Sequence, residues 1–449
     1  MLNIATGRHR TCDGLSRRDL LRAGSLAFGG LTLADLFRAQ ASAKQLESGK
    51  QAGRSAPKPA DMNVILFWQG GGPSHIDMWD LKPQAPAEFR GTFNPIASNV
   101  PGLDVCEHMP RIATVCDKLA VLRSVTHGDS GHESATHTLL TGYKPTNDIP
   151  SNEVPSYGSI VAHEMGAKQP GFPAYVAVPR APKSSAAAYL GVAYNPFEVL
   201  GDPSQPNFNV RDLKLPGQID TRRLDSRRAL LAKVDSVRRD IDRAGLVKGL
   251  DQFSEQAFDL VTSTKVRDGF DLSKEDDKLR DRYGRHTWGQ STLLARRMIE
   301  RGVRFTTIDM GGWDTHANNF EGLKEKLPKF DQCFSTLIED LSDRGLLETT
   351  LVLVWGEFGR TPRINSGAGR DHWSNVASVV MAGGGLQQGV VLGSSDARAE
   401  FPASQPVSPQ DVLATMYSRL GIDRSKSFVN EANRPVEILN YGEPIAAIM

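Results

Sequence analysis

Cysteine is scarce: four residues in 449, at positions 12, 106, 116 and 333, with no C-x-x-C spacing among them. That argues against a disulfide-stapled scaffold, a zinc ribbon and a thioredoxin-like redox site. Cys106 and Cys116 could pair in an oxidising compartment, and two buried free thiols suit them equally well. Net charge is nearly absent at +1, so no global basic field draws in nucleic acid. Residues 1–43 hold six Arg and three Asp, leaving the remainder at about −2. No apolar run reaches the roughly 18 residues that a membrane span needs, and no internal repeat or low-complexity block occurs. What is present is an ordinary globular composition, 39% hydrophobic and 23% charged. Its length can bury one large α/β domain or two smaller ones.

The N-terminus reads as an export signal. Ser16-Arg17-Arg18-Asp19-Leu20-Leu21 matches the twin-arginine pattern, an uncharged run follows from Ala23 to Ala34, and Ala41-Ser42-Ala43 offers a cleavage site. The expected organisation is a signal over 1–43, a linker over 44–60 and one domain over 61–449, with a helical insertion at about 220–300. A periplasmic or secreted location follows, with the export machinery as a partner.

Short apolar runs alternate with helical periodicities. Asn63–Trp68, Thr350–Trp355 and residues 118–123, 174–178, 303–308 and 376–381 read as strands. Leu230, Val234, Val237 and Ile241 recur at helical spacing, as do Leu250, Phe253, Ala257 and Val261. Residues 293–300 form a further helix, Phe330 to Leu341 an amphipathic one, and Ser408 caps a last one with proline at its first position. The pattern predicts a layered α/β domain with a largely parallel sheet.

Four loops at strand ends or helix starts carry metal-type ligands: Gln69/His75/Asp77, His127/His132/His137, Asp314/His316, and Glu357 with Asp371/His372. Open α/β sheets place ligands at the carboxyl ends of their strands. One histidine alone is more often structural, but this many ligand types at such positions point to a metal. Mixed imidazole and carboxylate donors suit zinc or manganese, with calcium or magnesium as alternatives. His127, His132 and His137 are spaced i, i+5, i+10 and share no stripe of one helix, so His127 must lie in the loop if they converge.

Residues 337–360, ending in Gly356-Glu357-Phe358-Gly359-Arg360, resemble the helix–strand–metal-loop unit of sulfatases and alkaline phosphatases. Leu139-Leu-Thr-Gly142 resembles the end of their nucleophile helix, Asp314-Thr-His316 an earlier metal loop, and His372 the late metal histidine. The Gly-Gly-Pro-Ser-x-x-Asp, Gly-Gly-Trp-Asp-Thr-His and Gly-Glu-Phe-Gly-Arg-Thr-Pro stretches resemble a domain-of-unknown-function family of twin-arginine-exported proteins allied to sulfatases. The resemblance implies a layered α/β/α sandwich with an alkaline-phosphatase-like core. It also implies divalent ions, one or two, and a phosphate or sulfate ester as substrate. Departures stand beside it: counting back nine residues from Thr141 reaches His132 instead of a cysteine or serine, Ser134 and Thr136 replace the signature's Pro and Arg, and Gln69 stands near the first-strand aspartate. A formylglycine sulfatase is thereby disfavoured.

The implied metal residues are Asp77, His75, His132, Asp314, His316, Glu357, Asp371 and His372. Asp314, His316 and His372 form one site, and Glu357 with Asp77 and His132 the other. Ser134 is the candidate nucleophile if water activated by the metal is not. Arg360 or Arg123 could hold the anion's oxygens, the alternative for both being a structural salt bridge. The functional expectation is a metal-dependent hydrolase of small anionic esters or sulfated or phosphorylated polysaccharides. Its rival is a non-catalytic relative binding anionic glycans in the cell envelope.

Overall fold

Eight strands form the central sheet: β1 (Asn63–Trp68), β2 (Leu119–Val125), β3 (Tyr175–Val178), β4 (Phe197–Glu198), β5 (Phe305–Asp309), β6 (Thr350–Trp355), and, after a two-stranded ribbon of β7 (Gly359–Arg360) and β8 (His372–Trp373), β9 (Ala377–Gly383) and β10 (Val390–Leu392). The spatial order is β10-β2-β9-β6-β1-β5-β3-β4. Among the described residues of this sheet only β9 runs against its neighbours. This computed structural model describes residues 57–146, 152–210 and 263–449. The export signal, most of the linker, and the helical patterns at 230–241 and 250–261 lie outside the described residues.

Alternation along the strands explains the layers. On β1, Ile65 and Phe67 enter one apolar cluster, while Val64, Leu66 and Trp68 enter another; on β6, Val352 and Val354 divide from Leu351, Leu353 and Trp355 in the same way. A strand buried on both faces can be apolar throughout, as β1 and β6 are. Among the helices that supply the two clusters are, in chain order, α1 (His75–Met78), α2 (His132–Thr141), α3 (Tyr157–Met165), α4 (Thr287–Glu300), α5 (Asn319–Asp343) and α6 (Pro409–Leu420). Leu293, Leu294 and Met298 of α4 pack with Phe330, Phe334 and Leu337 of α5 on the first face. Leu139 and Leu140 of α2, Ile160 of α3 and Leu413 of α6 cover the second. The result is an α/β/α sandwich with a mostly parallel sheet, as the sequence predicts.

Boundaries moved where packing extended a pattern. The helix expected over 330–341 starts at Asn319, because Phe320, Leu323 and Leu327 continue its buried stripe past Pro328. The helix expected at 293 begins at Thr287, where the His286 side chain accepts the Gly289 N–H. Ser408 caps α6 reciprocally with Asp411. Cys106, Cys116 and Cys333 are buried free thiols, the first two unpaired in this structure, and burial raises each of their pKa values.

Candidate metal centre

Three adjacent parallel strands, β5, β1 and β6, end side by side, with Trp68 opposite both Asp309 and Trp355. Their continuations bring together the loops holding Gly71, Asp314 and Glu357. The approach is close: a Cβ on Gly71, which has φ +113°, would sit 2.4 Å from the Asp314 nitrogen. Only glycine lets this backbone turn, and the turn aims the Gly71 N–H at Glu357 Oε1, 2.8 Å away. His132 enters from the first turn of α2, and His372 from the β7–β8 ribbon.

Three imidazoles converge on the carboxylate of Asp314. His316 Nε2 lies 3.0 Å and His372 Nε2 3.2 Å from its Oδ1, while His132 Nε2 lies 3.3 Å from Oδ2. The Nε2 atoms of His316 and His372 are 3.0 Å apart. Each ring is anchored at its other nitrogen. His132 Nδ1–H donates to Glu357 Oε1 at 2.7 Å, His316 Nδ1–H to Asp371 Oδ1 at 2.7 Å, and His372 Nδ1–H to the Ser130 carbonyl at 2.8 Å. A neutral imidazole with Nδ1 protonated presents a bare Nε2. Lone pairs therefore face one another across this cluster, and a single proton can satisfy only one pair of them.

A divalent cation among His132, Asp314 and His372 would satisfy theirs together. Tetrahedral ligands at about 2.0–2.1 Å from zinc stand roughly 3.3 Å apart, and octahedral ones at about 2.1 Å stand roughly 3.0 Å apart. The observed 3.0–3.3 Å spacings match both. Among the described residues, ligand atoms of His132, Asp314 and His372 also fall within 4.8 Å of one another. The carboxylate–histidine pairs are the arrangement by which proteins orient imidazole ligands. The donors of His132, Asp314 and His372 thus fit a metal ion, with His316 Nε2 beside them at 3.0 Å from Asp314 Oδ1.

The charges agree with that reading. The hydrogen bond that His132 donates to Glu357 is the largest influence on the imidazole and raises its pKa. Burial opposes ionisation of Asp314, but the Arg360 guanidinium, its hydrogen bond and the neighbouring histidines outweigh it and bring that pKa down to about 2. The His316 hydrogen bond holds Asp371 below the usual carboxylate range. Phe358, 1% exposed, lies against His132 and His372 with ring centroids 5.1 and 4.4 Å away.

Several sequence assignments change. Asp77 does not join Glu357: it is fully buried, and its oxygens accept from Arg370, Asn319 and Ser74. His75 is buried with Nε2–H donating to the Ala399 carbonyl at 3.0 Å and Nδ1 without a partner. A Cβ on Gly359 would lie 2.6 Å from that Nδ1, so it faces backbone and not the cluster. Burial lowers the pKa of His75. Glu357 and Asp371 meet histidine nitrogens, so here they orient ligands; Glu357 Oε2 is buried without a partner and keeps one lone-pair direction free.

Arg360 is fully buried and committed to the Gly71, Gly72 and Arg370 carbonyls and to Asp314, so it does not offer its fork to a substrate anion. Arg123 bonds the Asp104 carbonyl. Ser134 Oγ–H donates to Asp129 at 2.8 Å, closing the turn before α2. His137 Nδ1–H donates to the Tyr143 carbonyl, and His127 Nδ1 accepts the Asp129 N–H at 3.3 Å. The three histidines of that segment therefore do not share an ion. Sequence reasoning missed Ser130, Asn319, Arg370 and Asp309. The last ends β5, and burial raises its pKa to about 6; a carboxylate closing an apolar strand was the signal available for it.

Fold and site together define a layered α/β protein with a histidine–aspartate cluster at the carboxyl edge of its parallel strands. The chain belongs to the family described as Protein of unknown function (DUF1501), whose model matches residues 61–449. No curated protein matches it in sequence. Similar solved structures include the lipoteichoic acid synthase LtaP from Listeria monocytogenes, at 8% identity and TM-score 0.37, covering 86% of this chain and 76% of that one. The PsFucS1 sulfatase from Pseudoalteromonas sp. has 13% identity and TM-score 0.35, with 84% and 70% covered. A TAB5 alkaline phosphatase mutant with Mg bound in the M3 site has 12% identity and TM-score 0.33, with 77% and 97% covered.

Proposed function

We propose that this protein is a metal-dependent hydrolase of phosphate or sulfate esters, exported by the twin-arginine route to the periplasm or beyond. The convergence of three anchored imidazoles on Asp314 carries the reading. His132, Asp314 and His372 would hold a divalent ion there, which would act as a Lewis acid toward the ester oxygen and bound water. Zinc or manganese suits the nitrogen-rich donor set better than calcium or magnesium. A second ion would draw on Glu357 Oε2, the buried oxygen left without a partner.

The chain's own residues divide the remaining work. Glu357, Asp371 and the Ser130 carbonyl fix the tautomers, so that each Nε2 faces the centre. Arg360 keeps Asp314 ionised and aimed. The Ser134 hydroxyl is tied to Asp129, which favours water over a serine as nucleophile. Substrates of this class are small anionic esters or sulfated or phosphorylated polysaccharides.

One observation favours a non-catalytic binder of anionic glycans in the envelope: Arg360 is spent internally, so the expected clamp for ester oxygens is missing. Elemental analysis of the purified mature protein, beside an Asp314→Ala, His372→Ala double variant and with an ester panel, separates the readings. Bound metal lost in the variant, together with metal-dependent turnover, supports the hydrolase. Metal and glycan binding without turnover supports the binder, and no bound metal overturns the metal centre itself.

A further inference from the structure

Asp77 and Arg370 form a bidentate pair, Nε to Oδ2 at 2.7 Å and Nη2 to Oδ1 at 2.9 Å, and both side chains are fully buried. The rest of the guanidinium is used by the Thr361, Pro362 and Phe89 carbonyls, so all five donors are satisfied. Asp77 Oδ2 also accepts from Asn319 Nδ2 at 2.9 Å. Asn319 Oδ1 in turn accepts the Thr315 hydroxyl at 2.6 Å. The Thr315 carbonyl accepts the Arg370 backbone N–H at 3.0 Å. The four residues close a ring: Asp77, Asn319, Thr315, Arg370 and back to Asp77.

The ring's position in the chain gives it meaning. Thr315 stands between Asp314 and His316, and Arg370 directly precedes Asp371 and His372. One buried carboxylate thus joins the two ligand-bearing loops through the Arg370 and Asn319 side chains, and the Arg370 N–H to Thr315 carbonyl bond ties their backbones. A buried ion pair often adds little stability over a well-packed apolar pair, because desolvation offsets its attraction. A role in register accounts better for charge at this place.

We propose that Asp77 is a positioning residue that sets the spacing between the Asp314/His316 loop and His372, and so tunes metal affinity. The inference rests on the metal-centre reading. The ring touches no ligand atom; it acts through the Thr315 and Arg370 backbone.

The test is zinc and manganese affinity, by competition with a chromogenic chelator, beside the thermal midpoint of the metal-free protein. Thr315→Val removes the hydroxyl while keeping shape, Asn319→Ala breaks the ring at a second point, and Thr315→Ser restores the hydroxyl. Outer-shell losses weaken metal binding by about 10- to 100-fold. We expect at least a 10-fold loss in the first two variants and wild-type affinity in the serine variant. Wild-type affinity in Thr315→Val and Asn319→Ala, with only a lowered thermal midpoint, assigns the ring a purely structural role and overturns the proposal. Failure of the wild type to bind either ion overturns the metal reading and this inference with it. The two failures are therefore told apart.

Discussion

Glu357 Oε1 accepts the Nδ1–H of His132 at 2.7 Å, joining the start of α2 to the loop after β6 across 225 residues of sequence. The same oxygen takes the Gly71 N–H, and its partner oxygen is buried without a hydrogen bond. A carboxylate in that position makes the opposite ring nitrogen a better ligand. Glu357→Gln keeps the shape and removes the charge. Metal affinity should fall about 10- to 100-fold, and the raised His132 pKa should move down toward an ordinary imidazole's. Calorimetric titration with zinc and an NMR pH titration of the metal-free protein check both, and unchanged affinity would refute the orienting role.

Acid should destabilise the metal-free protein. Burial depresses His127 to about 4 and lowers His75, His137 and His286 as well. A buried neutral histidine binds its proton more readily once unfolded, so the unfolded state gains protons as pH falls below about 6.5. Stability is then lost from about 6.5 down to about 4, with His127 alone accounting for at most on the order of 3 kcal/mol. Thermal midpoints in chelator between pH 7.5 and 5 should fall steadily; a flat profile contradicts the assignment.

Asp309 carries the opposite sign. Burial, with the Glu357 charge nearby, raises it to about 6, so the folded state holds the proton more tightly between about 4 and 6. Ionisation above that range costs stability. Asp309→Asn should stabilise the metal-free protein at pH 8 by at most on the order of 3 kcal/mol and have little effect at pH 4. Denaturant unfolding at the two pH values decides it; equal effects at both would count against the raised pKa.

Gly71→Ala tests the close approach of the two loops. The new Cβ would meet the Asp314 nitrogen at 2.4 Å with φ at +113°, so the loop must shift. We expect destabilisation of roughly 2–4 kcal/mol together with loss of bound metal, since Asp314 moves with its own backbone. A variant of unchanged stability and metal content would show that the loop yields freely.

Much of the frame was legible because it depends on local regularity. The apolar runs of β1 and β6 and the stripe of α5 follow from burial on one face or two, which sequence spacing records directly. Errors sat at the ends, as in α5, where the buried stripe runs eleven residues beyond the expected start at Phe330. Residue types are legible too: Asp314, His316, His372 and His132 stand in loops at strand ends or helix starts, where the sequence alone points to metal chemistry. What sequence could not supply was the direction of each lone pair.

Sequence by itself determined the layered α/β class and the loops where ligand chemistry collects, because strand burial and strand-end loops are properties of short stretches. It also carries the twin-arginine pattern on which the export proposal rests. Only the tertiary structure decided which acid does what. Asp77 and Glu357 are both buried carboxylates, yet Asp77 meets Arg370 across 293 residues and Glu357 meets His132. The difference is physical: a carboxylate's role is set by the donor that reaches it through the fold, and no spacing along the chain records which donor that is.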